Sequence, residues 1–417
     1  MTKLTLEKNT VLISSLLILV LLQGCKISRE EKIPDLVNPD TVSPAITAEP
    51  SPTPVPTPVP TPVTTPVPTP YSEPAVPSSG KTGNGVKVKG IYLTGWTASS
   101  AEKMEHFIKL ANETEINTFV IDVKNDDGIV SYESDVKAVR DAGTFLRKYD
   151  PEKLIKTLHD NGIYVIGRVV CFRDPACSKK YPDRAVKHVK GGLWKEDRKN
   201  AEITWLDPCD KRNWSYIIDI AKEAAEKGFD EIQFDYVRFP DGKTSEMVFS
   251  AKDFVKYEVI NEFLSAARKE MPNVILSADI FGIVCVSPED TEGIGQYLEL
   301  IGRELDYISP MAYPSLYARG QIVNKIEFPN PDLEPYNVVY NTLLMAKERL
   351  SKVEGYKADV RPFIQAYTAS WLKPGTFQTY GAKQYREQIQ AVYDAGYEQW
   401  IFWDANNKYD TSAFLKE

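Results

Sequence analysis

Between residues 88 and 406 the chain alternates eight times between short runs rich in β-branched and aromatic residues and longer stretches of helical period. Few architectures accept that rhythm, because a strand followed by a helix returns to its sheet in parallel. The expected strands occupy residues 88–96, 118–124, 163–172, 232–237, 274–282, 306–315, 361–367 and 399–406. Most read as continuous apolar runs, as strands buried on both faces do. Ser99 with Glu102 has capping-box spacing, and Met104, Phe107, Ile108 and Ala111 share one face behind it. Asp150-Pro151 is an N-cap and N1 pair, with Gly162 as the stop, and Asp207 or Asp210 opens the next helix. Further helices are expected over 251–271, 338–350 and 384–395. Eight such units over roughly 320 residues predict an α/β fold, a (β/α)8 TIM barrel. A doubly wound open sheet is disfavoured, since no Gly-rich dinucleotide fingerprint follows the first strand.

A barrel collects the outgoing ends of its strands on one face, where the chemistry sits. Those ends supply Trp96, Asp122 with Lys124, Arg168, Asp235 with Arg238, Asp279, Tyr313, Gln365, and Trp403 with Asp404. Acidic and aromatic groups dominate, with arginines between them. Aromatic faces stack on sugar rings, while carboxylates bind hydroxyls and move protons. Asp235 and Asp279 fall on adjacent expected strands, which suits a pair that cleaves a glycosidic bond. Asp235 is the candidate nucleophile or base, held ionised by Arg238 or Arg168. Asp279 lies among Ala278, Ile280 and Phe281 and is the candidate acid, because desolvation raises a carboxyl pKa. The two roles can be exchanged at this level. The remaining ring residues are candidates for substrate binding, with Asp122 and Lys124 read as an ion pair that orients substrate. The bland alternative is that strand-end aspartates bond loop amides and the aromatics pack the mouth.

Other chemistries lack their signals. The chain has no GxSxG, no GxxxxGK[ST] and no CxxC, and His106, His159 and His188 are scattered, so neither a metal nor a cofactor is expected. A formal net charge of −8 without a long basic run argues against nucleic acid.

Ahead of the barrel, residues 11–22 form an apolar run behind Lys3 and Lys8. It is too short to span a bilayer but fits a signal peptide. It ends in Leu22-Gln23-Gly24-Cys25, which resembles a bacterial lipobox and marks Cys25 for lipidation, hence a membrane anchor on the extracellular face. An ordinary secreted protein is the alternative. Thr-Pro and Val-Pro units from Pro44 to Pro77 predict a disordered, extended stalk. At ~3.1 Å per residue it reaches on the order of 100 Å. The expected layout is a signal peptide over 1–25, a linker over 26–85 and the barrel over 86–417. With Cys25 lipidated, Cys171, Cys177, Cys209 and Cys285 remain, and one disulfide is expected to staple the long loop after the third strand.

The run WLDPCDKRNWSYIIDIAKEAAEKGFDEIQFDYVRFPDG, with GIYLTGW, FVIDVKNDDG and ISPMAYPS, resembles a family of bacterial glycoside-hydrolase-like barrels long catalogued as a domain of unknown function. The resemblance implies a TIM barrel with a glycosidase-related site at Asp235. Similarity to chitinase-type barrels is more distant. Met311-Ala312-Tyr313 and Trp403 fit their pattern, but Val237 stands where their fourth-strand glutamate would be, leaving Asp279 or Asp404 to supply a proton. The expected function is extracellular hydrolysis of a polysaccharide. A non-catalytic glycan-binding or cell-wall-binding barrel is the alternative, and a surface scaffold is a third reading.

Overall fold

The computed structural model describes residues 85–196 and 202–416. The expected signal peptide, Cys25 and the proline-rich stalk lie outside the described residues.

Eight parallel strands form a closed ring: β1 (Lys89–Leu93), β2 (Thr118–Lys124), β3 (Tyr164–Val170), β4 (Glu231–Asp235), β5 (Ile275–Phe281), β6 (Tyr307–Met311), β7 (Phe363–Gln365) and β8 (Trp400–Trp403). Each pairs with its sequence neighbour, and β8 pairs with β1 through Lys89↔Trp400 to close the ring. A two-residue strand, Asp359–Val360, lies against the start of β6. This is the (β/α)8 TIM barrel, and every strand falls within or beside its expected span.

Helices α1 (Ala101–Glu113), α2 (Pro151–His159), α3 (Lys211–Glu226), α4 (Lys256–Glu270), α5 (Leu298–Ile301), α6 (Pro335–Leu350) and α7 (Ala382–Asp394) connect the strands. After β8 the described chain makes only a 3-10 turn, Thr411–Ala413. Local chemistry sets the helix starts. Asp150 accepts from the Lys153 amide at 3.1 Å, with Pro151 at the first helical position, and Asp210 rather than Asp207 caps α3. The cap of α1 is Ser100, one residue later than expected, because Ser99 ends a four-residue helix, Gly95–Ala98. The expected start near residue 251 moves to Lys256. Asp150→Ala should lower stability by about 1 kcal/mol, read as a reduced urea midpoint at unchanged slope.

The main core lies between the sheet and its helices, while a smaller cluster, including Val120, Ile166, Phe363 and Ile401, fills the barrel. Deep inside, Glu231 and Arg361 form a fully buried ion pair, Arg361 stacks on Tyr307 at 4.2 Å, and Ser277 donates to Glu231. The expected disulfide is absent: Cys171, Cys177, Cys209 and Cys285 are all free thiols. Cys171 continues β3 with its thiol turned to the Val169 carbonyl, and Cys177 is buried in the short helix Pro175–Lys180. No helix among the described residues is long and apolar enough to cross a membrane.

Candidate active site

Arg168, on β3, organises the mouth. Its side chain is almost fully buried and meets three carboxylates. Nη1 donates to Asp122 Oδ1 at 2.7 Å, Nη2 to Asp126 Oδ1 at 2.8 Å, and Nε and Nη2 to Asp235 Oδ2 at 2.9 and 2.6 Å. A guanidinium can do this because its donors are fixed in a planar fork. Its face lies over Trp403 at 5.1 Å and Tyr92 at 5.4 Å, and those two rings stack on each other at 3.9 Å. The Tyr92 hydroxyl donates to Asp122 Oδ2 at 2.7 Å, so both oxygens of Asp122 are engaged. Burial pushes the Asp122 carboxyl up, against the pull of Arg168.

Asp235 is the last residue of β4, and its backbone geometry is unusual immediately beyond. Tyr236 has φ of 49°, a left-handed conformation that costs a residue with a side chain of order 1–3 kcal/mol. That turn aims the Tyr236 amide at Asp235 Oδ1, 2.6 Å away. Asp235 is therefore held at one oxygen by arginine and at the other by main chain.

Asp279, on β5, has the opposite environment. It is 2% exposed, and its Oδ1 has no hydrogen-bond partner. The register Phe234↔Ala278 sets Asp279 beside Asp235, one step further along both strands. Burial first, then the charge of Asp235, pushes the Asp279 carboxyl well above the carboxylate range, while Arg168 and Arg361 pull it back. A carboxyl that prefers its proton thus adjoins one fixed by an ion pair.

These groups converge on one pocket, lined by Arg168, Asp235, Tyr236, Asp279, Tyr313 and Trp403 among others. A separate groove between residues 135–137 and α3 is ringed by Glu152, Asp219, Glu226 and Lys227 and shares no lining residue with that pocket.

Some expected residues stand elsewhere. Asp122 pairs with Arg168, not with Lys124. Between them a bulge shifts the β2–β3 register, setting Lys124 across from Val169. The Lys124 ammonium then meets Asp174 at 2.8 Å and the Val170 carbonyl at 2.7 Å, all buried. Arg238 also lies off Asp235: it bonds the Phe239 carbonyl at 3.0 Å and packs on Phe281, Trp205 and Tyr236. Of the two arginines named for Asp235, the structure selects Arg168. Gln365 spends its amide on Ser315, Asp332 and Tyr367. Asp404 accepts from the Asn406 and Lys408 amides at 3.0 and 2.9 Å, closing a loop. Tyr313 is buried against Tyr367, and Trp96 stands on the rim. Residues not singled out by the sequence are Tyr92, Asp126 and Tyr236. Tyr92 alternates inward with Gly90, a legible signal; Asp126 sits in the turn after β2, and the conformation of Tyr236 has no sequence signature.

No group of three or more His, Cys, Asp or Glu residues that could hold a metal occurs among the described residues.

The chain belongs to the family described as "Putative glycosyl hydrolase domain", whose model matches residues 90–409. Among solved structures, a hypothetical protein from Ruminiclostridium thermocellum is 55% identical, over 45% of this chain and 96% of its own, with a TM-score of 0.43. The glycoside hydrolase domain of PgaB (BpsB) from Bordetella bronchiseptica matches 79% of this chain and 97% of its own at 11% identity and a TM-score of 0.54, a likeness of fold. The Bacillus cereus spore cortex-lytic enzyme SleL matches 78% of this chain and 72% of its own at 11% identity, with a TM-score of 0.44. No curated protein matches the chain.

Proposed function

We propose that this barrel hydrolyses glycosidic bonds in a polysaccharide, with Asp279 as general acid and Asp235 as nucleophile. The observation that carries the reading is the contrast between two carboxyls in adjacent register: Asp279 buried without a partner at Oδ1, Asp235 clasped by Arg168 and the Tyr236 amide. In the first step Asp279 protonates the leaving oxygen as Asp235 attacks the anomeric carbon, forming a glycosyl ester. In the second, Asp279 takes a proton from water, which releases the sugar from Asp235.

Adjacent strands lie about 4.8 Å apart. That spacing favours the short carboxyl separation of retaining enzymes, roughly 5–5.5 Å, over the longer gap that admits a water. Trp403 and Tyr313 serve as walls for the sugar, and Arg168 and Asp122 as a fixed charge framework. Gln365, Asp404 and Lys124 act in this reading through the loops they hold. Cys25 would carry the lipid anchor on the outer face of a bacterial membrane, and the proline-rich segment would lift the barrel towards its polymer.

The test is release of new reducing ends by the full chain from a panel of bacterial and plant polysaccharides, with the anomer of the first product followed by NMR. Retained configuration is expected. Inverted product would remove the nucleophile role of Asp235, and binding without release would make the barrel a glycan-binding module.

A further inference from the structure

At the outgoing end of β1, a lysine stands apart from the ion pairs of the mouth. Arg168 shares its charge with three carboxylates, and Arg238 meets Asp241 at 3.4 Å. The Lys148 ammonium has neither a hydrogen bond nor an ion pair among the described residues; it lies over the Trp96 ring, 5.0 Å from the centroid. Asp122 does not serve it, because both its oxygens are taken by Arg168 and Tyr92.

The placement is built. Thr94 caps the short helix that presents Trp96, accepting from Thr97 at 3.1 Å. The Tyr149 hydroxyl donates to the Asp122 carbonyl at 2.9 Å, tying the segment that bears Lys148 to β2. The Lys148 amide donates to the Ser131 carbonyl at 3.0 Å. The stem of Lys148 passes over Gly95, where a Cβ would come within 3.2 Å of its Cδ. Trp96 nonetheless remains 56% exposed, so the indole is open to a ligand. Burial lowers the Lys148 ammonium pKa, against the pull of Asp122 and Asp127. A half-buried ammonium with no direct hydrogen-bond or ion-pair partner is costly, and an anionic oxygen from outside would relieve that cost.

We propose that Trp96 and Lys148 form a rim subsite for an acidic sugar unit. The ring stacks on the exposed indole, and an anionic oxygen on it, of a carboxylate or a phosphate, accepts from Lys148 Nζ. This rests on the sugar-site reading of the mouth, and it names the class of polymer: one that carries negative charge on its sugars.

The experiment measures binding by calorimetry in the full chain carrying Asp279→Asn, so that cleavage does not intervene. Hexagalacturonate is compared with its fully methyl-esterified form, and pentamannose phosphate with its dephosphorylated form. An acid preference of about tenfold is expected in one pair, which identifies the source of the anion. Lys148→Met should abolish the preference, Lys148→Arg should restore it, and Trp96→Ala should weaken both members of the pair. A ratio near one in both pairs, or a preference that survives Lys148→Met, overturns the subsite. Wild-type chain that hydrolyses a polymer yet shows no acid preference fails this proposal alone. A preference with no hydrolysis of any polymer leaves the subsite standing and fails the hydrolase reading.

Discussion

Replacing Asp279 by asparagine should lower the rate of glycoside cleavage by roughly 10²–10⁴-fold, the contribution of a positioned general acid. The fold should survive the change. Burial raises the Asp279 carboxyl above its value in the unfolded chain, so its favourable contribution is complete below the unfolded value and is lost as pH rises through the folded one. At neutral pH the wild-type chain must either ionise this group in an apolar setting or bind a proton to avoid it. Asparagine does neither, so the variant should match or exceed wild-type stability there. A thermal scan at pH 4 and pH 7 beside an initial-rate assay reads both halves. In the wild type, activity should fall on the alkaline side as Asp279 loses its proton, and the residual activity of Asp279→Asn should lack that limb. A large loss of stability at pH 7 would instead make Asp279 a structural residue.

The second large effect belongs to Arg168. Arg168→Met should destabilise the barrel by about 3–5 kcal/mol, because it leaves Asp122, Asp126 and Asp235 without their shared cation. That loss is the cost of leaving buried carboxylates without a counter-ion, so the variant should recover stability towards that of wild type as pH falls. Arg168→Lys should rescue little, since one ammonium cannot present a fork to three partners. Urea midpoints at pH 7 and pH 4.5 for the three chains test this. Equal midpoints for wild type and Arg168→Met at pH 7 would show that the cluster is held by its loops.

The barrel could be read from the sequence because strands buried on both faces announce themselves as apolar runs, and their count and spacing admit few closures. The polar residues inside those runs were equally visible: Arg168, Asp235 and Asp279 each interrupt an apolar strand. Their partners were harder to find. Residues two apart on a strand share a face, so Asp122 and Lys124 looked like neighbours until the bulge separated them. Asp126 joins Arg168 only because the turn after β2 folds back over the mouth. Gln365 and Asp404 resemble Asp235 in sequence context, yet surrounding loops claim their polar atoms, and loop conformation leaves no periodic trace.

The four free cysteines bear on how this domain can be made and used. Burial pushes three of their thiols, Cys177, Cys209 and Cys285, up to about 12, and also raises Cys171 well above its ordinary value. At neutral pH almost none of any of them exists as thiolate, the form that reacts. Among the described residues the barrel is therefore held together without a disulfide, and its buried thiols are poor nucleophiles towards an oxidant.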